Sequence, residues 1–197
     1  MKSCGRSRDY AEVYRSRMWA YGDKPDPEFI KALVRTERGK ALDLAGGQGR
    51  HALALSALGF DVTLVDSVAE GLHQAAEASE ERDLPIHIVH ADAAKFQPDP
   101  GLWVICASLF FHIPARRTAL KIAERLGGAL ALGGLLYLSL PGFTKETETL
   151  ARDVLSAAGT SEEWLVKHLV TRKERPMLPV SRRNETRVMG KAIESAK

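Results

Sequence analysis

The chain has 197 residues, enough for one domain with a sizeable core and too few for two comfortable ones. Its 45% apolar and 27% charged residues are ordinary globular values, which excludes disordered and collagen-like classes. A net charge of +3 is too small to point to nucleic acid, and no apolar run approaches the roughly eighteen residues that span a bilayer.

The segment Met1 to Tyr21 has no apolar stretch after its basic residues, so no secretory signal is expected and the expected compartment is the cytoplasm. Cys4 and Cys106 cannot form a disulfide framework; Cys106 lies in an apolar run and reads as a reduced core residue. No metal is expected.

Asp26-Pro27-Glu28 joins a capping aspartate to proline at the first helical position, predicting a helix to about Arg35. A strand over Lys40 to Ala45 leads through glycines into a helix over His51 to Leu58, stopped by Gly59. The strand Asp61 to Val65 closes at Asp66, and Ser67-Val68-Ala69-Glu70 reads as a capping box for a helix to about Glu80. Ile86 to Val89 and Leu102 to Ala107 are the third and fourth strands. Ala115 to Leu126 is a basic amphipathic helix; Gly127 to Gly134 is read as a glycine-rich lead into a fifth strand, Leu135 to Leu140. A helix over Lys145 to Ala158 ends at Gly159, and two strand-like segments follow, Trp164 to Thr171 and Thr186 to Ile193.

Five β-α units and a terminal hairpin predict an α/β fold, doubly wound and Rossmann-like. Its sheet would be mostly parallel and seven-stranded, with a C-terminal antiparallel hairpin. The whole of 1–197 reads as one domain: a lid segment at 1–24, the β-α units at 25–158 and the hairpin region at 159–197. Such sheets bind ligands beyond the carboxyl ends of their strands, where the strand order reverses.

Asp43-Leu44-Ala45-Gly46-Gly47-Gln48-Gly49-Arg50 stands at that place. Glycines between strand and helix let the chain turn tightly and a ligand approach the main chain. Gly47-x-Gly49-x-x-Ala52 alone also fits the dinucleotide fingerprint, and a tight turn without ligand is the plain alternative. Asp43 shifts the balance, because a carboxylate just before the glycines repels a pyrophosphate and attracts an ammonium and a sulfonium. That charge argument favours S-adenosylmethionine over NAD. Asp66, ending the second strand, can accept both hydroxyls of a ribose or can serve as a helix N-terminal acid. Asp92, after the third strand, can accept from an adenine amine while the Ala93 amide donates to the ring, or can be a solvated loop acid.

Over roughly Lys40 to Leu140 these residues resemble the class I S-adenosylmethionine-dependent methyltransferases. Asp43 to Gly49 is similar to the family's first motif, with Ala45 where the family usually has its first glycine. The resemblance implies cofactor contacts from Asp43, Ala45, Gly46, Gly47 and Gly49, from Asp66 with Ser67, and from Asp92 with Ala93. Ser108-Leu109-Phe110-Phe111-His112-Ile113-Pro114 looks like the segment bordering the transferred methyl, which places Leu109 at the cofactor. More narrowly, Trp19-Ala20-Tyr21-Gly22-Asp23-Lys24-Pro25 and Gly47-Gln48-Gly49-Arg50-His51 are similar to segments of tellurite-resistance-type and thiopurine-type small-molecule methyltransferases.

Methyl transfer needs the nucleophile held close and aligned, and sometimes a proton removed. His112 is the histidine placed at the end of a central strand, as a base or as pocket lining. Tyr14, Trp19 and Tyr21, with Tyr10, can form a lid over the sulfonium or substrate, or pack against the sheet edge. Arg172, Lys173, Arg175, Arg182, Arg183 and Arg187 form a basic cluster, suited to an anionic substrate or an acidic partner, or simply solvated. The Asn/Asp-Pro-Pro-aromatic motif of base-methylating enzymes is absent after the fourth strand, so the expected partner is a small molecule, without nucleic acid or membrane. A nicotinamide-dependent oxidoreductase would need a Tyr-x-x-x-Lys or a substrate domain, and a non-catalytic binding domain would share the fold.

Overall fold

The computed structural model describes residues 9–108, 115–141, 145–159 and 185–191. Asp9 opens α1 (Tyr10–Ser16) by accepting from the amides of Ala11 and Glu12, a helix that the aromatic composition of this stretch did not announce. Asp26 caps α2 (Pro27–Ala32) through the Glu28 and Phe29 amides, with Pro27 in the first turn as predicted, and a 3-10 turn, Leu33–Arg35, continues it.

Strands and helices then alternate. The order is β1 (Lys40–Leu44), α3 (Arg50–Ala57), β2 (Asp61–Asp66), α4 (Ala69–Arg82), β3 (His87–His90), β4 (Trp103–Ser108), α5 (Arg116–Ala129), β5 (Leu130–Pro141) and α6 (Lys145–Ala157). The last described strand is β6 (Glu185–Lys191). Sheet order is β3-β2-β1-β4-β5-β6, with β1 to β5 parallel and β6 antiparallel to β5. Parallel pairing requires crossover helices, and these cover both faces of the central strands. Leu42, Leu44, Cys106, Leu136 and Leu138 face a layer holding Ile122, Leu126, Val154 and Leu155 from α5 and α6. Ala41, Leu64, Ile105 and Tyr137 face Phe29, Leu33 and Leu55 on the other side. Burial raises the Cys106 thiol far above its ordinary pKa, in keeping with a reduced core cysteine.

Two local expectations are corrected. The Ser67 capping box does not form: α4 starts a residue later with Val68 as its cap and no side-chain cap bond, while Asp66 accepts the Val68 amide. Gly127 and Gly128 lie inside α5, and β5 begins directly at Leu130. Gly133, at φ +74°, lets β5 absorb a register shift opposite β4, so these glycines make a kinked strand rather than a loop. The described sheet therefore has six strands. The expected seventh, Trp164 to Thr171, lies outside the described residues, as do Cys4 and all of the basic cluster except the backbone of Arg187. Among the described residues no helix is long and apolar enough to cross a membrane, and no three potential ligands gather to hold a metal ion.

Gly127 of α5 packs against the residue that follows α6: an added Cβ would fall 1.8 Å from the Ala158 carbonyl oxygen. Gly128, next along the helix, has open space around it. Gly127→Ala is expected to destabilise by about 1–3 kcal/mol or more through overpacking. Gly128→Ala should stabilise by about 0.5–1 kcal/mol through helix propensity. Urea unfolding of both variants checks this pair of opposite signs.

Candidate functional site

β1 ends where the sheet order reverses, with β2 on one side and β4 on the other. Asp43 is fully buried there, and neither carboxylate oxygen has a hydrogen-bond partner among the described residues. Burial first, then the charge of Asp66, lifts its pKa to about 7. The Ala52 amide, in the first turn of α3, and the Arg50 guanidinium act in the opposite direction and are outweighed. That amide bears on the carboxylate without completing a hydrogen bond.

The chain then turns against β2, the Ala45 and Gly46 amides donating to the Val65 carbonyl at 2.7 and 3.3 Å. A Cβ on Gly46 would lie 2.5 Å from Asp43 Oδ2, and one on Gly47, at φ +57°, 2.4 Å from the Tyr14 hydroxyl. Both positions exclude a side chain. Ala45 also adopts the left-handed region, at φ +58°, where a residue with a Cβ is strained by about 1–3 kcal/mol.

Asp66 is buried, not at the surface, and each of its oxygens accepts a backbone amide at 2.8 Å: Gly47 on Oδ2 and Val68 on Oδ1. It thus ties the glycine turn to the entrance of α4. Its pKa is raised by burial despite these amides. The Ala91 amide donates to the Asp66 carbonyl at 2.9 Å, so Asp92 follows just beyond the end of β2. Asp92 is exposed and turns back on its own chain, Oδ1 accepting the Ala94 amide at 2.8 Å, while Ala93 is half-buried. Ser67 is exposed, its carbonyl 3.0 Å from His90 Nε2. An open cleft of about 570 Å³ lies here, lined by Asp9, Tyr10, Ser67, Val68, Glu70 and His90.

The aromatic residues divide. The Tyr14 ring is buried over Gly47 and Gly71, and burial, with Asp66 next, pushes its hydroxyl well above the usual tyrosine range. Trp19, at φ +55°, stacks under the Arg82 guanidinium at 5.0 Å, while the Tyr21 side chain is exposed. Four residues at and beside the turn that the sequence reading did not single out by role hold this segment. Gln48 accepts from the Ala20 amide at 2.8 Å and donates to the Arg17 carbonyl at 3.1 Å and to Gln74. Gln74 donates in turn to the Tyr14 carbonyl at 2.8 Å. Arg50 donates to the Tyr21 carbonyl, and His51 Nε2 accepts the Asp26 amide at 3.2 Å. The only advance signal was the polar triplet Gln48, Arg50, His51 among small residues. Leu109 and His112 lie outside the described residues; Ser108, ending β4, is buried with no hydroxyl partner among them.

A glycine turn at the reversal of strand order, acids at the ends of three adjacent parallel strands and a reversed last strand define the class I S-adenosylmethionine-dependent methyltransferase fold. Residues 41–134 match the methyltransferase domain family. Over 114 residues the chain is 39% identical to a glycine/sarcosine N-methyltransferase of Aphanothece halophytica, covering 56% of this chain and 43% of the relative. The chain thus spans less than half the length of the curated relative that it matches. Among solved structures it is similar in fold to TehB from Haemophilus influenzae, at 18% identity and TM-score 0.69, covering 86% of this chain and 63% of that one. A SAM-dependent methyltransferase from Methanosarcina mazei superposes at 15% identity and TM-score 0.67, covering 87% and 100%. Sequence match and fold agree: residues 41–134 are similar to methyltransferase domains, and the described residues share the class I methyltransferase fold.

The raised pKa of Asp43 makes a stability statement with a definite sign. A carboxyl with a higher pKa in the folded state favours folding at low pH, and that contribution is lost as pH rises through about 7. Asp43→Asn removes the titration, so its stability should fall less than that of the unaltered chain between pH 5 and pH 8. The difference should be of order a few kcal/mol, read from urea unfolding at both pH values.

Proposed function

We propose that this chain transfers a methyl group from S-adenosylmethionine to a small-molecule acceptor. The observation that carries the reading is Asp43, a buried carboxylate without hydrogen-bond partners among the described residues, behind a turn that excludes side chains. Such a group favours a cationic ligand against the turn and disfavours a pyrophosphate. In this reading Ala45, Gly46, Gly47 and Gly49 offer main chain to the ligand. Asp66, whose oxygens retain lone pairs beyond the two amides, accepts the ribose hydroxyls, with Ser67 beside it. Asp92 and Ala93 take the adenine edge. Leu109 borders the methyl, and His112 is the candidate base on the acceptor side.

When bound, the cofactor supplies a methyl already activated on sulfonium. What is left to the chain is to bind it, to align the acceptor and to keep water out. Tyr14, Trp19 and Tyr21 form the lid of this arrangement. Segment 1–24, the units at 25–158 and the region 159–197 serve one cytoplasmic enzyme of small metabolites. The match to an enzyme named for glycine and sarcosine supports the small-acceptor class.

Pairing with a cation requires Asp43 to lose its proton. Affinity for S-adenosylmethionine should therefore rise between pH 5.5 and 7, by up to about tenfold per unit, with up to about one proton released on binding. Calorimetry in buffers of differing ionisation enthalpy measures both. Asp43→Asn should bind more weakly and without the slope. A flat or falling pH profile, or NAD binding as tightly as the methyl donor, would overturn the reading.

A further inference from the structure

Arg125, on α5, spends its guanidinium on a single turn of another part of the chain. Nη1 donates to the Phe96 carbonyl at 2.7 Å, and Nη2 to the Ala94 and Ala93 carbonyls at 2.9 and 3.3 Å. Nε donates within its own helix to the Lys121 carbonyl at 3.3 Å. Four of its five N–H groups are used on main-chain oxygens. Among the described residues no carboxylate lies in salt-bridge range of this half-buried side chain. A cation placed among carbonyls and given no acid partner is fixing backbone, and the planar fork is suited to holding several acceptors in one geometry.

The turn it fixes starts at Asp92. The Lys95 and Phe96 amides donate to the Asp92 carbonyl, and the Ala94 amide to its Oδ1, so the acid's side chain is oriented by the turn it opens. Ala93, Ala94 and Phe96 pack against the core layer of α5. Their amides are satisfied or directed on one side, and their carbonyls converge on Arg125 on the other. Remove the fork and three carbonyls lose a charged donor at once, while Asp92 keeps only its local bonds.

We infer that Arg125 is a positioning residue for nucleobase recognition: it holds the Asp92–Phe96 turn so that Asp92 and the Ala93 amide meet the adenine edge. This rests on the assignment of Asp92 and Ala93 made above. The role is separable from general stability because it predicts a change in discrimination as well as in affinity. A correctly placed carboxylate accepts from a 6-amino group and repels a 6-oxo group. S-adenosylhomocysteine and its 6-oxo counterpart, S-inosylhomocysteine, are the probes.

The dissociation constants of both are measured by calorimetry for the unaltered chain, Arg125→Met and Arg125→Lys, with circular dichroism to confirm folding. The unaltered chain should prefer the 6-amino ligand by at least about tenfold, the worth of one charge-assisted bond. Arg125→Met should lose most of that preference. Arg125→Lys keeps the charge but not the fork, should recover part of it, and decides the matter if the methionine variant does not fold. Equal weakening for both ligands with the preference intact would make Arg125 a structural clamp only and overturn the inference. No preference in the unaltered chain would overturn the adenine assignment itself, and the inference with it.

Discussion

The first strand is paired on both edges and covered on both faces, so its chain can leave only past its carboxyl end. Everything at the site follows from that exit. The two amides at the turn close on the Val65 carbonyl, and Asp66, one residue further along the neighbouring strand, takes the Gly47 amide. The turn is thereby pinned to β2 rather than left to its own conformational freedom. With the backbone so placed, Asp43 is fully buried, and burial together with the neighbouring Asp66 disfavours its charged form.

Much of this was legible in the sequence because it is local. Strand–glycine–helix punctuation, the Asp26-Pro27 start of α2 and the acids at strand ends are short patterns whose physical meaning does not depend on distant residues. What failed also failed for physical reasons. Gly127 and Gly128 look like a helix stop, yet α5 runs through both, with Gly127 pressed against the backbone of Ala158 just after α6. Ser67 satisfies the pattern of a capping box, but the helix starts one residue later, and the Asp66 carboxyl holds the Val68 amide at its entrance. Helix α1 is short and aromatic-rich, and Tyr14 packs on Gly47 and Gly71, partners more than thirty residues away in sequence.

The site's acids were legible as well, and their surroundings were not. Asp66 could be read as a ribose acceptor or a helix N-terminal acid, and neither reading foretold that it is buried beside the turn that it holds. Arg125 gave no signal, since an arginine on an amphipathic helix is ordinarily solvated. Ala45 was visible as an irregularity in the glycine pattern. The structure explains what that irregularity means, for an alanine there occupies the left-handed conformation that a glycine would adopt without strain.

The contacts that fasten the segment before α2 have a property of their own. Gln48 and Arg50 reach main-chain atoms: the carbonyls of Arg17 and Tyr21 and the amide of Ala20. None of these bonds reads a side chain of the segment. Its path over the turn is thus written in residues 48 and 50, while the side chains of Met18 and Tyr21 stand exposed. A protein so arranged can exchange what it displays above its site without renegotiating how the display is held, which separates the evolution of selectivity from the maintenance of the frame.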